Sequence, residues 1–309
     1  MNLQDNHLAI ILNLKRRLQR ISNINTLLIV ILVGVLWLKY ASHNNKTENI
    51  HYNDYLAKIK IEGVILEDSY RSEVLNKILE NDKIKGLIVE VDSPGGSIVG
   101  SEILYEELYK IAKKKPLAIA MNSLAASGGY MISLSSDYIV ARNGTITGSI
   151  GVIMQSTDLT DLADKVGIKF HNYKSAPLKG TPSPFEKTSV DADKVINESI
   201  ADSYQFFTDL VRQRRGNKIA NLPELFDGRV FTGRQALKLG LIDEIGGTDK
   251  ILEHFSKKHL LPIKKLPIIE VSLQEEEENF IDKILGKMPF GKDSQLKLLN
   301  NSGLLAIYR

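Results

Sequence analysis

The sequence predicts an α/β fold with a largely parallel sheet, and three observations carry that expectation. Two short apolar runs, residues 86–91 and 117–121, read as buried strands. Stretches with helical spacing lie beside them, such as Val74, Leu75, Ile78 and Leu79 on one face of residues 72–81. Strand, helix, strand, helix, strand in this order favours right-handed crossovers, which lay neighbouring strands parallel.

Composition sets the bounds. The chain has 309 residues, 43% of them apolar and 25% charged, which is ordinary globular usage. A net charge of +3 is too small to argue for nucleic acid. There is no cysteine, which excludes disulfides, thiolate zinc sites and a cysteine nucleophile. The six histidines are scattered without ligand spacing, so no metal site is expected.

Residues 1–25 form a polar tail carrying Lys15, Arg16, Arg17 and Arg20. Residues 26–41 follow, uninterrupted by a polar side chain from Leu27 to Leu38, with Trp37 and Tyr40 at one end. Together with flanking residues this reaches the low end of the roughly 17–25 residues a membrane-spanning helix needs. A cleaved signal peptide competes, but the run ends in Trp-Leu-Lys-Tyr without a small-x-small site. The reading is therefore a retained anchor. Basic residues before it place the N-terminus in the cytoplasm and the remainder outside. Residues 42–54 read as a linker, 55–262 as the folded domain and 263–309 as a C-terminal extension.

Within the domain, residues 56–65 alternate apolar and charged, as a half-buried strand does. The 86–91 strand runs into Asp92-Ser93-Pro94-Gly95-Gly96, read as a glycine turn able to expose backbone N–H groups. A helix is expected over 99–113, ending before Pro116. Further strands are expected over 137–141, 147–154, 169–173 and 241–243. Further helices are expected over 159–166, 190–214, from Thr232 and from Thr248. Residues 174–184 hold three prolines and a glycine and read as a loop. The 275–278 glutamates read as a solvated acidic run.

The stretch that organises the chain is Asn122-Ser123-Leu124-Ala125-Ala126-Ser127-Gly128-Gly129-Tyr130. Small residues flank one serine at a strand-to-helix turn, so another backbone can approach it closely. A helix starting at Gly128 would leave free N–H groups beside the Ser127 hydroxyl. A hydroxyl beside unpaired donors is what acyl transfer requires. In a parallel sheet both glycine turns lie at carboxyl ends of strands, where ligands bind.

Taken together, these stretches resemble the signal peptide peptidase A family, bacterial membrane-anchored serine proteases of the Clp–crotonase fold. The resemblance rests on Asp-Ser-Pro-Gly-Gly at 92–96, Ala-Ala-Ser-Gly-Gly-Tyr at 125–130 and Thr-Gly-Ser-Ile-Gly-Val at 147–152. Asp-Gly-Arg-Val-Phe-Thr-Gly-Arg-Gln-Ala at 227–236 marks the wider superfamily. It covers roughly residues 59–254 and implies a ββα superhelix, single-repeat because 309 residues leave room for one repeat. It further implies Ser127 as nucleophile, Lys179 as general base, Ser149 as the hydroxyl that orients the base, and the Gly96 and Gly128 N–H groups as oxyanion donors. Lys174 is the rival base; Lys179 is preferred because aligning Ser183-Pro184 after it needs no gap.

The physical chemistry agrees with those roles. A serine needs a neighbouring base, and no histidine falls in the motifs. A lysine base must be uncharged, so its pKa must drop from about 10.4 to near 7–8, which burial can supply. A neutral hydroxyl orients the amine without restoring its proton, as an aspartate would. The family implies no cofactor, a homo-oligomer (an octamer) sharing the dyad between adjacent protomers, and cleaved signal peptides in the cytoplasmic membrane as substrates. A related membrane-bound Ser–Lys protease acting on other membrane proteins is the alternative. A crotonase-like acyl-CoA enzyme is a more distant one, and an inactive scaffold a third.

Overall fold

The computed structural model describes residues 31–34, 54–220 and 222–274. The expected anchor at 26–41 lies outside the described residues, save for 31–34, which are helical. Among the described residues no helix is long and apolar enough to cross a membrane.

The domain opens with β1 (Tyr55–Ile65), whose Ile59 and Ile61 are buried between half-buried Lys58 and exposed Lys60 and Glu62, with Leu56 and Ile65 buried towards its ends. α1 (Ser69–Glu80) is capped by Asp68, whose side chain accepts the Arg71 N–H at 3.0 Å. β2 (Ile84–Gly96) lies parallel to β1 from Ile84 to Gly96. α2 (Ile98–Lys114) is capped in the same way by Ser97, which accepts the Gly100 N–H at 3.0 Å. β3 (Leu117–Ala126) follows, then the short α3 (Gly128–Ser133), β4 (Ile139–Ala141) and β5 (Ile146–Gly148). The remainder comprises α4 (Thr160–Lys165), α5 (Val190–Arg215), β6 (Val230–Thr232), α6 (Gly233–Lys238), β7 (Glu244–Ile245), α7 (Thr248–His259) and β8 (Ile268–Glu270).

All eight strands join one sheet, in the order β6-β5-β3-β2-β1-β8, with β4 between β3 and β7. Every pairing is parallel except β5 with β6. β3 forks: residues 119–121 pair with β4, and residues 124–126 pair with β5. Apolar side chains fill both faces, as helices on both sides of a parallel sheet demand. One cluster packs Ile59, Val89 and Ile119 with residues of α1 and α2, and the other packs Leu56, Ile88 and Ala118 beneath Ile251 and Phe255 of α7.

The structure departs from the sequence reading at several points. The 92–96 segment is no separate turn, since it stays within β2 and pairs with β1 as far as Gly96, with Gly95 at φ 106°. The strand expected over 147–154 stops at Gly148, because Ser149 adopts φ 51° and leaves the ladder. Residues 169–173 form no strand and are exposed. Leu241 and Ile242 are buried without forming a strand, which falls instead on β7. The folded domain runs past residue 262, since β8 pairs with β1 and buries Ile269, Val271 and Leu273.

Candidate active site

Ser127 stands between β3 and α3 with φ 53° and ψ −119°. A non-glycine residue pays for positive φ, so the surroundings must hold it there. Its N–H donates to the Gly148 carbonyl at 2.9 Å, and its own carbonyl accepts the Met131 N–H at 2.9 Å. The first bond ties the turn to β5 and the second starts α3. Gly128 is thus the first residue of α3, where an N–H has no intrahelical acceptor.

The end of β2 packs backbone against this turn, and only glycine allows it. A Cβ on Gly95 would lie 2.7 Å from the Gly128 nitrogen and 3.0 Å from the Ser127 Cβ. A Cβ on Gly96 would lie 1.8 Å from the Ile65 carbonyl oxygen. A Cβ on Gly128 would meet the Ser101 Oγ at 2.2 Å and the Gly96 nitrogen at 3.1 Å. The Gly96 and Gly128 nitrogens are therefore brought close together beside Ser127. Ser93 braces the approach, with its Oγ accepting from the Gly95 N–H at 3.1 Å and donating to the Gly63 carbonyl at 2.6 Å.

Gly96, Ser127, Gly128 and Ser149 line one cleft of about 610 Å³. Ser149 is held by its N–H, which donates to the Arg229 carbonyl at 2.9 Å. Met131, Ile150, Val152, Tyr204 and Phe207 supply the apolar wall. Ser101, which the sequence reading did not single out, also lines the cleft. It is 1% exposed and its Oγ has no hydrogen-bond partner. The signal for it was its place one helical turn beyond the Ser97 cap, on the same side of α2.

No lysine or histidine lines the cleft among the described residues. Lys179 sits in the 174–184 loop and is exposed. Its rival Lys174 is half-buried and paired with Glu186. The one carboxylate lining the cleft, Asp227, is held below its usual range by hydrogen bonds from the Arg229 side chain. An ionised carboxylate so paired is a weak base. One chain thus brings a serine hydroxyl, two backbone nitrogens and an apolar groove to one cleft, the kinds of group that acyl transfer uses.

Residues 151–189 leave this rim as an arm that buries only Ala163. Ile153 is 82% exposed, Tyr173 96%, and Met154, Leu162, Val166, Ile168 and Phe185 are exposed as well. Exposed apolar side chains gathered on one segment are what contact sites for other molecules present.

The profile of Peptidase family S49 matches residues 110–261. A protein of Enterococcus faecium that bears the name signal peptide peptidase SppA is 35% identical over 247 residues, covering 74% of this chain and 72% of that one. A Synechocystis protein named as a protease is 34% identical over 252 residues, covering 81% and 88% respectively. The chloroplastic serine protease SPPA of Arabidopsis thaliana is 31% identical over 73% of this chain and 34% of its own length. A solved membrane-bound stomatin-specific protease overlays with a TM-score of 0.46 at 19% identity, covering 71% of this chain and 98% of that one, a likeness too slight to add anything. With the serine turn inside the matched segment, and relatives of this identity matched along most of their length, the chain belongs to peptidase family S49 and is a serine peptidase.

Proposed function

We propose that this peptidase is anchored in a bacterial cytoplasmic membrane by residues 26–41, faces outward, and degrades cleaved signal peptides left in the bilayer. The observation that carries the chemistry is Ser127, held at positive φ beside the Gly96 and Gly128 nitrogens in an apolar cleft. In this reading the Ser127 Oγ attacks a peptide carbonyl while its proton passes to the Lys179 Nζ. The tetrahedral oxyanion is met by the Gly96 and Gly128 N–H groups. The lysine returns the proton to the departing amine, and water then releases the acyl group by the same route. The Ser149 hydroxyl orients the amine. No cofactor takes part.

Lys179 comes from a neighbouring copy in this reading. The exposed apolar side chains of the 151–189 arm support that, because no described residue covers them. A lysine acts as a base where burial disfavours its ammonium form, and a covered arm would provide such a place. Signal peptides as substrates are supported by the apolar cleft and by the name of the Enterococcus relative. An extended peptide can add to the strand end at Gly96 and place alternate side chains in the apolar wall.

The test is the product spectrum from a panel of synthetic signal peptides, read by mass spectrometry against folded Ser127→Ala protein. Cleavage inside the apolar segment, absent with Ser127→Ala, is expected. Intact signal peptides alongside cleaved membrane-protein loops would move the assignment to a protease of other membrane proteins.

A further inference from the structure

A parallel sheet gathers the connections that precede its strands at one end and those that follow at the other. The cleft occupies the carboxyl end, so the amino end is a separate surface. Three hydrogen bonds knit its connections into one rim. Tyr55 N–H donates to the Lys83 carbonyl at 2.9 Å, Leu87 N–H to the Pro116 carbonyl at 2.8 Å, and Leu56 N–H to the Pro267 carbonyl at 2.9 Å. The chain enters the domain at Tyr55, on this rim.

Residues 54–274 contain as many carboxylates as lysines and arginines together, yet this end is basic. Lys83, Lys113, Lys258, Lys264 and Lys265 are exposed there and form no ion pair with any described residue. Lys85, Lys114 and Lys257 are already matched by Asp54, Glu80 and Glu253, and Asp137 beside Lys113 and Lys258 is taken by Arg214, which leaves Asp82 among the described carboxylates there. Among these lysines stands Leu260, 84% exposed and held at φ 55°, ψ 28° where it ends α7. Glycine or asparagine suits that position for folding. A leucine turned into water between lysines is the pattern of an interfacial contact, apolar tip within a cationic ring.

We infer that this rim docks on an anionic phospholipid surface, with Leu260 entering the headgroup region and the unpaired lysines meeting lipid phosphates. The inference rests on the membrane-anchored reading above. It requires the amino end of the sheet to face the bilayer and the cleft to face away.

The chain has no cysteine, so Leu260→Cys accepts a single environment-sensitive fluorophore on the full-length protein. The labelled protein is reconstituted into phosphatidylcholine vesicles with or without phosphatidylglycerol, and flotation is measured on the same samples. Emission at least twofold higher with phosphatidylglycerol is expected, reversed by molar salt and by Lys258→Glu/Lys264→Glu/Lys265→Glu. A label at Glu67→Cys, exposed at the opposite end, should not respond. Protein that floats on both lipids with equal emission keeps the anchor and overturns the docking. Protein that floats on neither overturns both. High emission already present in detergent means that a second copy covers Leu260, and it overturns the docking as well.

Discussion

Ser127 donates its backbone N–H to the Gly148 carbonyl at 2.9 Å, which couples two strained serines. Ser127 ends β3 at φ 53°, and Ser149 follows β5 at φ 51°. The bond fixes both turns at the mouth of one cleft, so neither can relax without the other.

That strain is measurable. Ser127→Gly and Ser127→Ala should both lose peptidase activity. Only the glycine escapes the cost of positive φ, so it should be the more stable by about 1 kcal/mol. Urea unfolding of the two variants gives the difference. Equal midpoints would mean that the turn holds no strain.

Gly128 and Ser101 should be coupled. Gly128→Ala drives a methyl group to within 2.2 Å of the Ser101 Oγ and should cost activity and stability together. Ser101→Ala removes a buried hydroxyl without a partner and should be neutral or slightly stabilising, within about 1 kcal/mol. The double variant should recover most of the stability lost by Gly128→Ala. Strict additivity in a double-mutant cycle would place the two side chains out of contact.

If Lys179 reaches Ser127 from a neighbouring copy, two dead proteins should rescue each other. Ser127→Ala mixed with Lys179→Ala under subunit exchange should regain activity, because some interfaces pair an intact serine with an intact lysine. Demonstrated exchange without activity would put the base elsewhere.

Acid should lower the stability of the domain in two stages. Burial beside Tyr138, helped by Lys258 and His259, lowers the His254 pKa. Protonation then favours the unfolded chain, and stability starts to fall as pH drops below about 6.5. Asp243 is the second stage. Burial alone would push its carboxyl up, but Arg215 and Lys218 side chains and the Ile139 N–H hold it below the ordinary range. Its contribution is present above its unfolded value of about 4 and vanishes as pH falls through the lower folded value. His254→Phe should flatten the first stage in a plot of Tm against pH. Asp243→Ala strands the Arg215 guanidinium, whose side chain is 2% exposed, and should cost about 3–5 kcal/mol at pH 7.

Much of this architecture is legible in the chain because local signals and tertiary demands agree. The alternation in β1, the apolar face of Val74, Leu75 and Ile78 in α1, and the small residues around Ser127 each specify what is built. The misses share a cause, which is that a partner decides the outcome. Residues 149–154 look like a strand, but Ser149 turns them away from the ladder. Residues 268–270 give no strand signal of their own and become one because the β1 edge is open to them. Ser101 hides among ordinary helix positions, its place one turn beyond Ser97 being a faint cue, and the glycine opposite it shows where it points. Lys179 could be named only by resemblance, since its own surroundings in one chain say nothing of a base.

The length of β2 sets a working distance. Its 13 residues run from the lysine rim to Gly96, roughly 40 Å at about 3.3 Å per residue. With that rim on lipid, Ser127 stands about as far from the surface as an extended apolar segment of a dozen residues is long. A peptide could be cut at its far end while its near end still lies in the bilayer. Shorter remnants would have to leave the membrane altogether before reaching the serine. The domain would then act as a ruler, setting the shortest tethered peptide it can attack by the height of its own sheet.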